Sequence, residues 1–207
     1  MIYRKLKQIL PQLNNPVIVE IGAHLGTDTL KLSSMLTMPY TYFAIEPDKR
    51  NYQQLGPICE RVGAQLIPAA IGAKDAVVPF WFSSGDNGKR EHTDSSSLKK
   101  PVDCPQRPAH IEFKQKSVVC MKLDWLFGVY GLKHIDLIWM DVQGAELDVF
   151  EGGKIALKNT SYIYTECQEG RYEGQPGLDG IMKVLKNWRI VLKNGDNVLL
   201  ENWSRNG

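Results

Sequence analysis

The sequence predicts an α/β fold in which a mostly parallel sheet carries helices on both faces. Three observations point there. Apolar strand-like runs alternate with helical patterns along most of the chain, an order that requires crossovers and therefore parallel strands. The runs "VIVEI" and "IDLIWM" are almost wholly apolar, as strands covered on both faces must be. The last two runs flank Asn194-Gly195-Asp196-Asn197, a hairpin signal that closes the sheet with antiparallel strands.

The elements follow in order. Residues 1–13 have the spacing of a short amphipathic helix. Residues 17–21 form the first strand, and a helix follows over 27–36. "YTYFAIE" (40–46) is rich in aromatic and branched residues and stops at Pro47. Residues 48–55 read as a helix, with Asp48 near the N-terminus where an acid suits the dipole. "QLIPAAI" (65–71) is a third strand, which Pro68 puts at an edge or makes irregular. A further strand is expected over 77–82.

Residues 83–116 break the rhythm, being dense in Ser, Gly, Pro and charge. A loop of that length inside a compact domain is either a substrate lid or a plain insertion. Regularity returns with 117–131, a strand leading into a short helix with Asp124 near its start. A buried strand (134–141), a helix (144–158), a strand (160–167) and a helix (178–187) follow. The alternating runs of 189–203 close the chain around their turn.

The bulk numbers narrow the function classes. At 207 residues the chain fits one domain, residues 1–207, large enough to bury a full sheet. Its 43% apolar and 23% charged content is that of an ordinary globular protein and excludes a disordered or fibrous chain. A net charge of +2 argues against a nucleic-acid partner, which calls for a concentrated basic face. Lys99-Lys100 is the nearest basic run and reads as a solvated loop. Cys59, Cys104, Cys120 and Cys167 lack the pairing a zinc site requires, so no structural metal is expected. Without a long apolar run or a signal-peptide pattern, a cytoplasmic protein with no membrane partner is expected.

Ligands in such sheets bind beyond the carboxyl ends of the strands. The residues there are 20–26, Glu46, 70–72, Asp141 and Glu166. Gly22 and Gly26 let a ligand approach the backbone closely, but their spacing is not that of a dinucleotide turn. Glu20 before them would repel phosphates and attract a cation. A ligand with an ammonium and a sulfonium group fits that pattern better than NAD. Glu46 is suited to accept hydrogen bonds from ribose hydroxyls, which serves either cofactor.

Asp141 ends a buried strand, where an acid is costly unless it has partners, and so is a functional candidate. Glu166, ending the next strand, is expected beside it, able to share a proton, ligate a cation or take a hydroxyl proton. Asp136 belongs to the opposite rim as a structural group, and Glu146 is expected to cap backbone. His24 lies in the glycine turn, expected to hydrogen-bond locally while facing the cleft. His92, His110 and His134 read as ordinary surface residues.

The terminal hairpin already separates this sheet from that of dehydrogenases, which normally continues as βαβ, and is usual for methyltransferases. "VIVEIGAHLGTDTLKL", "YFAIEPDKRNYQQL", "LIPAAIG", "SSSL", "MKLDWLF", "IDLIWMDVQGAELDVFEGG" and "YIYTECQ" occur in the order and spacing of FkbM-family methyltransferases. The chain resembles that family over residues 17–170. The resemblance implies a class I Rossmann-like fold, a seven-stranded mostly parallel sheet with a C-terminal antiparallel hairpin, that uses S-adenosylmethionine. Many members methylate hydroxyls of sugars or natural products.

By position, Glu20, Gly22, Ala23 and Gly26 would line the methionine part, with Glu46 on the ribose. Pro47 would shape the adenine side, with Ala70 and Ile71 near it. The serine run 95–97, centred on Ser96, would close over the site. Asp141 would face the reacting end. Two positions depart from the family pattern: Trp139 stands where a lysine is usual, and Gln143 where a glutamate is usual. Trp139 is read as packing, with a stacking surface for a sugar ring as the alternative.

The resemblance implies O-methylation of a sugar or other hydroxyl-bearing small molecule, releasing S-adenosylhomocysteine. The hydroxyl needs a base; Asp141 is the first candidate, then Glu166 or His24. A divalent cation held by Asp141 and Glu166 is possible but not favoured. A non-catalytic cofactor-binding module, a methyltransferase acting on a non-sugar natural product and a small NAD-dependent oxidoreductase are the rival readings.

Overall fold

The computed structural model describes residues 1–37, 39–85, 92–105, 107–108 and 110–204. In chain order the strands are β1 (Val17–Ile21), β2 (Thr41–Ile45), β3 (Gln65–Ile67), β4 (Ala70–Ile71) and β5 (Ala76–Ser84). The others are β6 (Glu112–Met121), β7 (Ile135–Met140), β8 (Thr160–Glu166), β9 (Trp188–Asn194) and β10 (Asn197–Asn202). The helices are α1 (Ile2–Ile9), α2 (Thr27–Ser33), α3 (Tyr52–Val62), α4 (Leu123–Val129), α5 (Glu146–Gly152), α6 (Lys154–Lys158) and α7 (Leu178–Val184).

Seven strands make the main sheet in the order β3-β2-β1-β7-β8-β10-β9. The pairs from β3 to β8 are parallel, and β10 runs antiparallel to β8 and β9. This is the seven-stranded sheet with a terminal hairpin that the sequence predicts. The strand order reverses between β1 and β7, which opens a crevice at their carboxyl ends.

Alternation along the central strands sorts the core into two layers. Val19, Ile21, Ile138 and Met140 pack with α4, α5 and α7 through Leu126, Val149 and Ile181. Ile18, Leu137 and Trp139 pack on the other face with α1, α2 and α3 through Leu6, Leu32 and Leu55. At the far rim, Asp136 accepts a hydrogen bond from the Val17 amide at 2.8 Å and lies 3.0 Å from His134, a structural pairing.

Three expectations are corrected. The run 65–71 is two strands, not one: β3 stays on the edge of the main sheet, whereas β4 joins β6 and β5 in a second sheet of order β4-β6-β5. Pro68 lies at the break, where it can supply no ladder amide. The irregular segment is also shorter than 83–116, because β5 continues to Ser84 and β6 begins at Glu112. These two strands pair along their whole length, and much of β6 is exposed, so no apolar period marked its start. Of that segment, residues 86–91, 106 and 109 lie outside the described residues. The single helix expected over 144–158 is α5 followed by α6. The chain bends at Gly152-Gly153, where a Cβ on Gly152 would lie 2.0 Å from the Gly72 carbonyl oxygen.

Candidate active site

The crevice between the ends of β1 and β7 depends on a very close backbone approach. Gly22 has φ +87°, and a Cβ there would stand 2.0 Å from the Asp141 carbonyl oxygen. The Gly22 amide donates to the Ile45 carbonyl at 2.9 Å, and the Asp141 amide donates to the Ile21 carbonyl at 2.9 Å. The turn is thus stitched to both neighbouring strands. Gly22, His24, Glu46 and Asp141 line the crevice with Pro47, Ala69, Ala70 and Ile71. Phe80 and the segment 93–98 contribute Thr93, Asp94, Ser96 and Leu98 to the opposite wall. Ser97 is held there by a bridge to β5, its amide and carbonyl bonded to Trp81 at 3.0 and 2.7 Å.

Glu46 is 5% exposed and anchors one side. Its carboxylate accepts from the His24 and Asp48 amides at 2.9 and 2.8 Å and from Asn51 Nδ2 at 3.1 Å. Burial pushes its pKa up to about 7 despite these donors. The network continues outward. Asn51 Oδ1 accepts from the Thr93 hydroxyl at 2.7 Å, and Thr93 Oγ1 lies 2.6 Å from His24 Nε2. Because the Thr93 hydrogen goes to Asn51, His24 Nε2 is the donor to Thr93. His24, at φ +50°, thereby ties the first turn to the 93–98 segment, and burial lowers its pKa.

Asp141 faces the open part of the crevice. Its Oδ1 accepts from Gln143 Nε2 at 2.7 Å. Crowding by protein, then the charge of Glu166, raise its pKa to about 6. Asp141 is exposed where it lines the crevice. Met140 pairs with Thr165, so Asp141 and Glu166 leave adjacent strands side by side. Glu166 accepts from Gln168 Nε2 at 2.8 Å, and burial raises its pKa. Glu146 caps the turn by accepting from the Gly144 amide at 3.1 Å, while its Oε2 is buried without a partner among the described residues. Burial pushes the Glu146 pKa up to about 7.

Several predicted residues are elsewhere. Glu20 does not line the crevice: it is 1% exposed on the α2 side of β1. There it accepts from the Thr29 and Tyr42 hydroxyls at 2.6 and 2.8 Å. Strand alternation turns Glu20 away and Ile21 toward the crevice. Burial pushes the Glu20 pKa up to about 8, and its side chain lies outside the crevice lining where a cation-attracting wall was expected. Ala23 is 3% exposed in the α1–α3 core, and Gly26, at φ +81°, packs against Leu55 and Ile58. Trp139 is 2% exposed and stacked on Tyr164 with centroids 3.6 Å apart, so it offers no face to a sugar.

Asn51 and Thr93 join the network around Glu46 but escaped sequence reasoning, whereas Gln143, noted there only as a departure from the family pattern, bonds Asp141. Asn51 follows Glu46 by five residues, and Glu46 lies outside any helix, so no helical spacing flags the pair. Nothing local marks Thr93. Among the described residues no group of three or more His, Cys, Asp or Glu side chains could hold a metal ion.

Fold and crevice define a class of cofactor-binding α/β enzymes with the methyltransferase strand order. The chain belongs to the FkbM methyltransferase family: the model of the methyltransferase FkbM domain matches residues 20–192. These are S-adenosylmethionine-dependent methyltransferases. The chain is 34% identical to the 2-O-methyltransferase NoeI of Sinorhizobium fredii, over 97% of this chain and 85% of that protein. Among solved structures, an rRNA methylase from Streptococcus thermophilus shares the fold with a TM-score of 0.52 at 11% identity. That match covers 98% of this chain and 94% of the other. Aeropyrum pernix fibrillarin, solved with natively bound S-adenosyl-L-methionine, matches with a TM-score of 0.50 at 12% identity over 96% and 72% of the two chains. No helix among the described residues is long and apolar enough to cross a membrane.

Proposed function

We propose that this enzyme methylates a hydroxyl group of a sugar or glycan, with Asp141 as general base. One observation carries the reading: Asp141 stands in the crevice with Oδ1 engaged by Gln143 and Oδ2 free of protein partners among the described residues. The 2-O-methyltransferase named among its relatives supports a hydroxyl acceptor. As a single domain of residues 1–207 in the cytoplasm, the protein would take a small-molecule acceptor rather than nucleic acid or a membrane.

The residues present fit S-adenosylmethionine. Gly22 lets its turn lie against the Asp141 backbone, and both residues line the crevice the cofactor would enter. Glu46 has the position to hold the ribose, and Pro47, Ala70 and Ile71 make an apolar slot for adenine. Ser96 and Thr93 belong to the lid-like segment over that slot. When bound, the cofactor supplies an activated methyl group, so the protein's task is alignment and exclusion of water. Asp141 would take the proton that the acceptor hydroxyl loses as its oxygen gains the methyl group the cofactor would supply. Crowding by protein and then Glu166 raise the Asp141 pKa, and His24, whose Nε2 donates to Thr93, would act as a tie rather than a base.

The test is a product screen with labelled methyl donor against mono- and oligosaccharides, with and without a chelator. Incorporation into a sugar hydroxyl, insensitive to chelation and lowered about 10²-fold or more in Asp141→Asn, supports the reading. Near wild-type turnover in Asp141→Asn removes the base. Tight S-adenosylmethionine binding with no transfer to any sugar favours a bare binding module. Transfer to a non-sugar hydroxyl alone replaces the acceptor class.

A further inference from the structure

We infer that Gln143 is the positioning residue of Asp141, holding one carboxylate oxygen so that the other is left for the acceptor proton. This rests on the reading of Asp141 as the base.

Gln143 sits at φ +51°, a left-handed conformation that residues other than glycine seldom adopt. The turn is held there from both sides. Its carbonyl accepts from Ser97 Oγ at 2.8 Å, and the next amide, of Gly144, is capped by Glu146 at 3.1 Å. The result aims the side-chain amide back at its neighbour two residues earlier. Nε2 donates to Asp141 Oδ1 at 2.7 Å, and Oε1 lies 3.3 Å from the Tyr172 hydroxyl. That hydroxyl gives its hydrogen to the Ser95 carbonyl at 2.6 Å, so it fixes the segment and leaves Asp141 as the partner that orients the amide.

The charges around Asp141 explain why the donor is neutral. Glu166 from β8, Asp28 from α2, Asp94 from the 93–98 segment and Glu146 from α5 are all carboxylates acting on or near it. Lys31 is paired with Asp28 at 3.3 Å, and Arg171 acts on Glu166, so neither contacts Asp141 directly. A further carboxylate at position 143 would face this cluster without a donor to offer. Position 139 could not supply a balancing cation, since Trp139 is stacked between Tyr3 and Tyr164 at 5.1 and 3.6 Å. Its Nε1 donates to Asp28 at 3.2 Å. With Trp139 stacked and Glu166, Asp28 and Asp94 acting on Asp141, Gln143 offers a donor that adds no further negative charge to the cluster.

The measurement is the Asp141 carboxyl titration by 13C NMR in the wild type, Gln143→Asn and Gln143→Glu, with Asp141→Asn identifying the resonance. Asparagine tolerates left-handed backbone and keeps the turn but is too short to reach Oδ1, whereas glutamate keeps the reach and loses the donor. Gln143→Asn should raise the midpoint by about 0.5–1 pH unit, the value of one lost hydrogen bond to the charged form. Gln143→Glu should raise it by more than about 1 pH unit through the added charge. A midpoint unchanged or lowered in either variant overturns the role of Gln143 and leaves Asp141 as base untouched. Undiminished turnover in Asp141→Asn overturns the base instead, whatever the midpoints do.

Discussion

Gly22→Ala tests the contact that shapes the crevice. Two costs are separable in the structure. The backbone at φ +87° disfavours any Cβ by about 1–2 kcal/mol. The new methyl would also stand 2.0 Å from the Asp141 carbonyl oxygen, so β1 and β7 must part at the turn. Overpacking of this kind costs about 1–3 kcal/mol more. Gly63→Ala is the control, because Gly63 has a similar φ of +70° but nothing within 4 Å of its Cβ position. Gly22→Ala should therefore be less stable than Gly63→Ala by about 1–3 kcal/mol, a Tm difference of about 2–12 °C for a chain of this size. Urea unfolding and a thermal melt of both variants read the difference. Calorimetry with S-adenosylhomocysteine should show weaker binding for Gly22→Ala alone. Equal stability of the two variants, or full affinity in Gly22→Ala, would refute the steric argument.

The titrating groups make three further predictions. Glu20 keeps its proton in the folded chain up to about pH 8 but releases it near the ordinary carboxylate value when unfolded. The native state thus binds more protons in that window, and stability should fall as pH rises through it. Glu20→Gln should flatten that decline in urea titrations; a slope equal to wild type removes Glu20 as its source. Glu46→Gln, which turns a buried acceptor into a donor beside the Asp48 and His24 amides, should weaken S-adenosylhomocysteine binding about tenfold or more. Affinity within error of wild type would exclude Glu46 from the site. A base must be ionised to act, so turnover should rise with pH through the Asp141 value of about 6. That limb should vanish in the residual activity of Asp141→Asn, and its persistence would assign it to another group.

Much of the site was visible as strand ends. Glu46 stood out as a strand-end acid suited to ribose hydroxyls and Asp141 as an acid costly at the end of a buried strand, and both line the crevice. Gly22 was read as a close approach of backbone to ligand, whereas the group that needs the missing Cβ is the Asp141 carbonyl. Glu20 met the same strand-end criterion as Glu46 and Asp141 and failed it. Its neighbours on α2 and β2, Thr29 and Tyr42, offer two hydroxyls on the face away from the crevice. Position along the strand was readable, but the phase of the alternation against the rest of the fold was not.

The sequence by itself determined the order of strands and helices, the closing hairpin, the glycine turn and the family. Each is written in local periodicity or in short ordered motifs. Only the tertiary structure decided that 65–71 splits between two sheets, that Trp139 is buried, and that His24 meets Thr93 across 69 residues. It also decided that Ser97 meets Gln143 across 46 residues. Those contacts join an irregular segment to strand ends far along the chain, and the segment has no period of its own. Their pairing exists only once the sheet has formed and brought the carboxyl ends of β1, β2 and β7 to one rim.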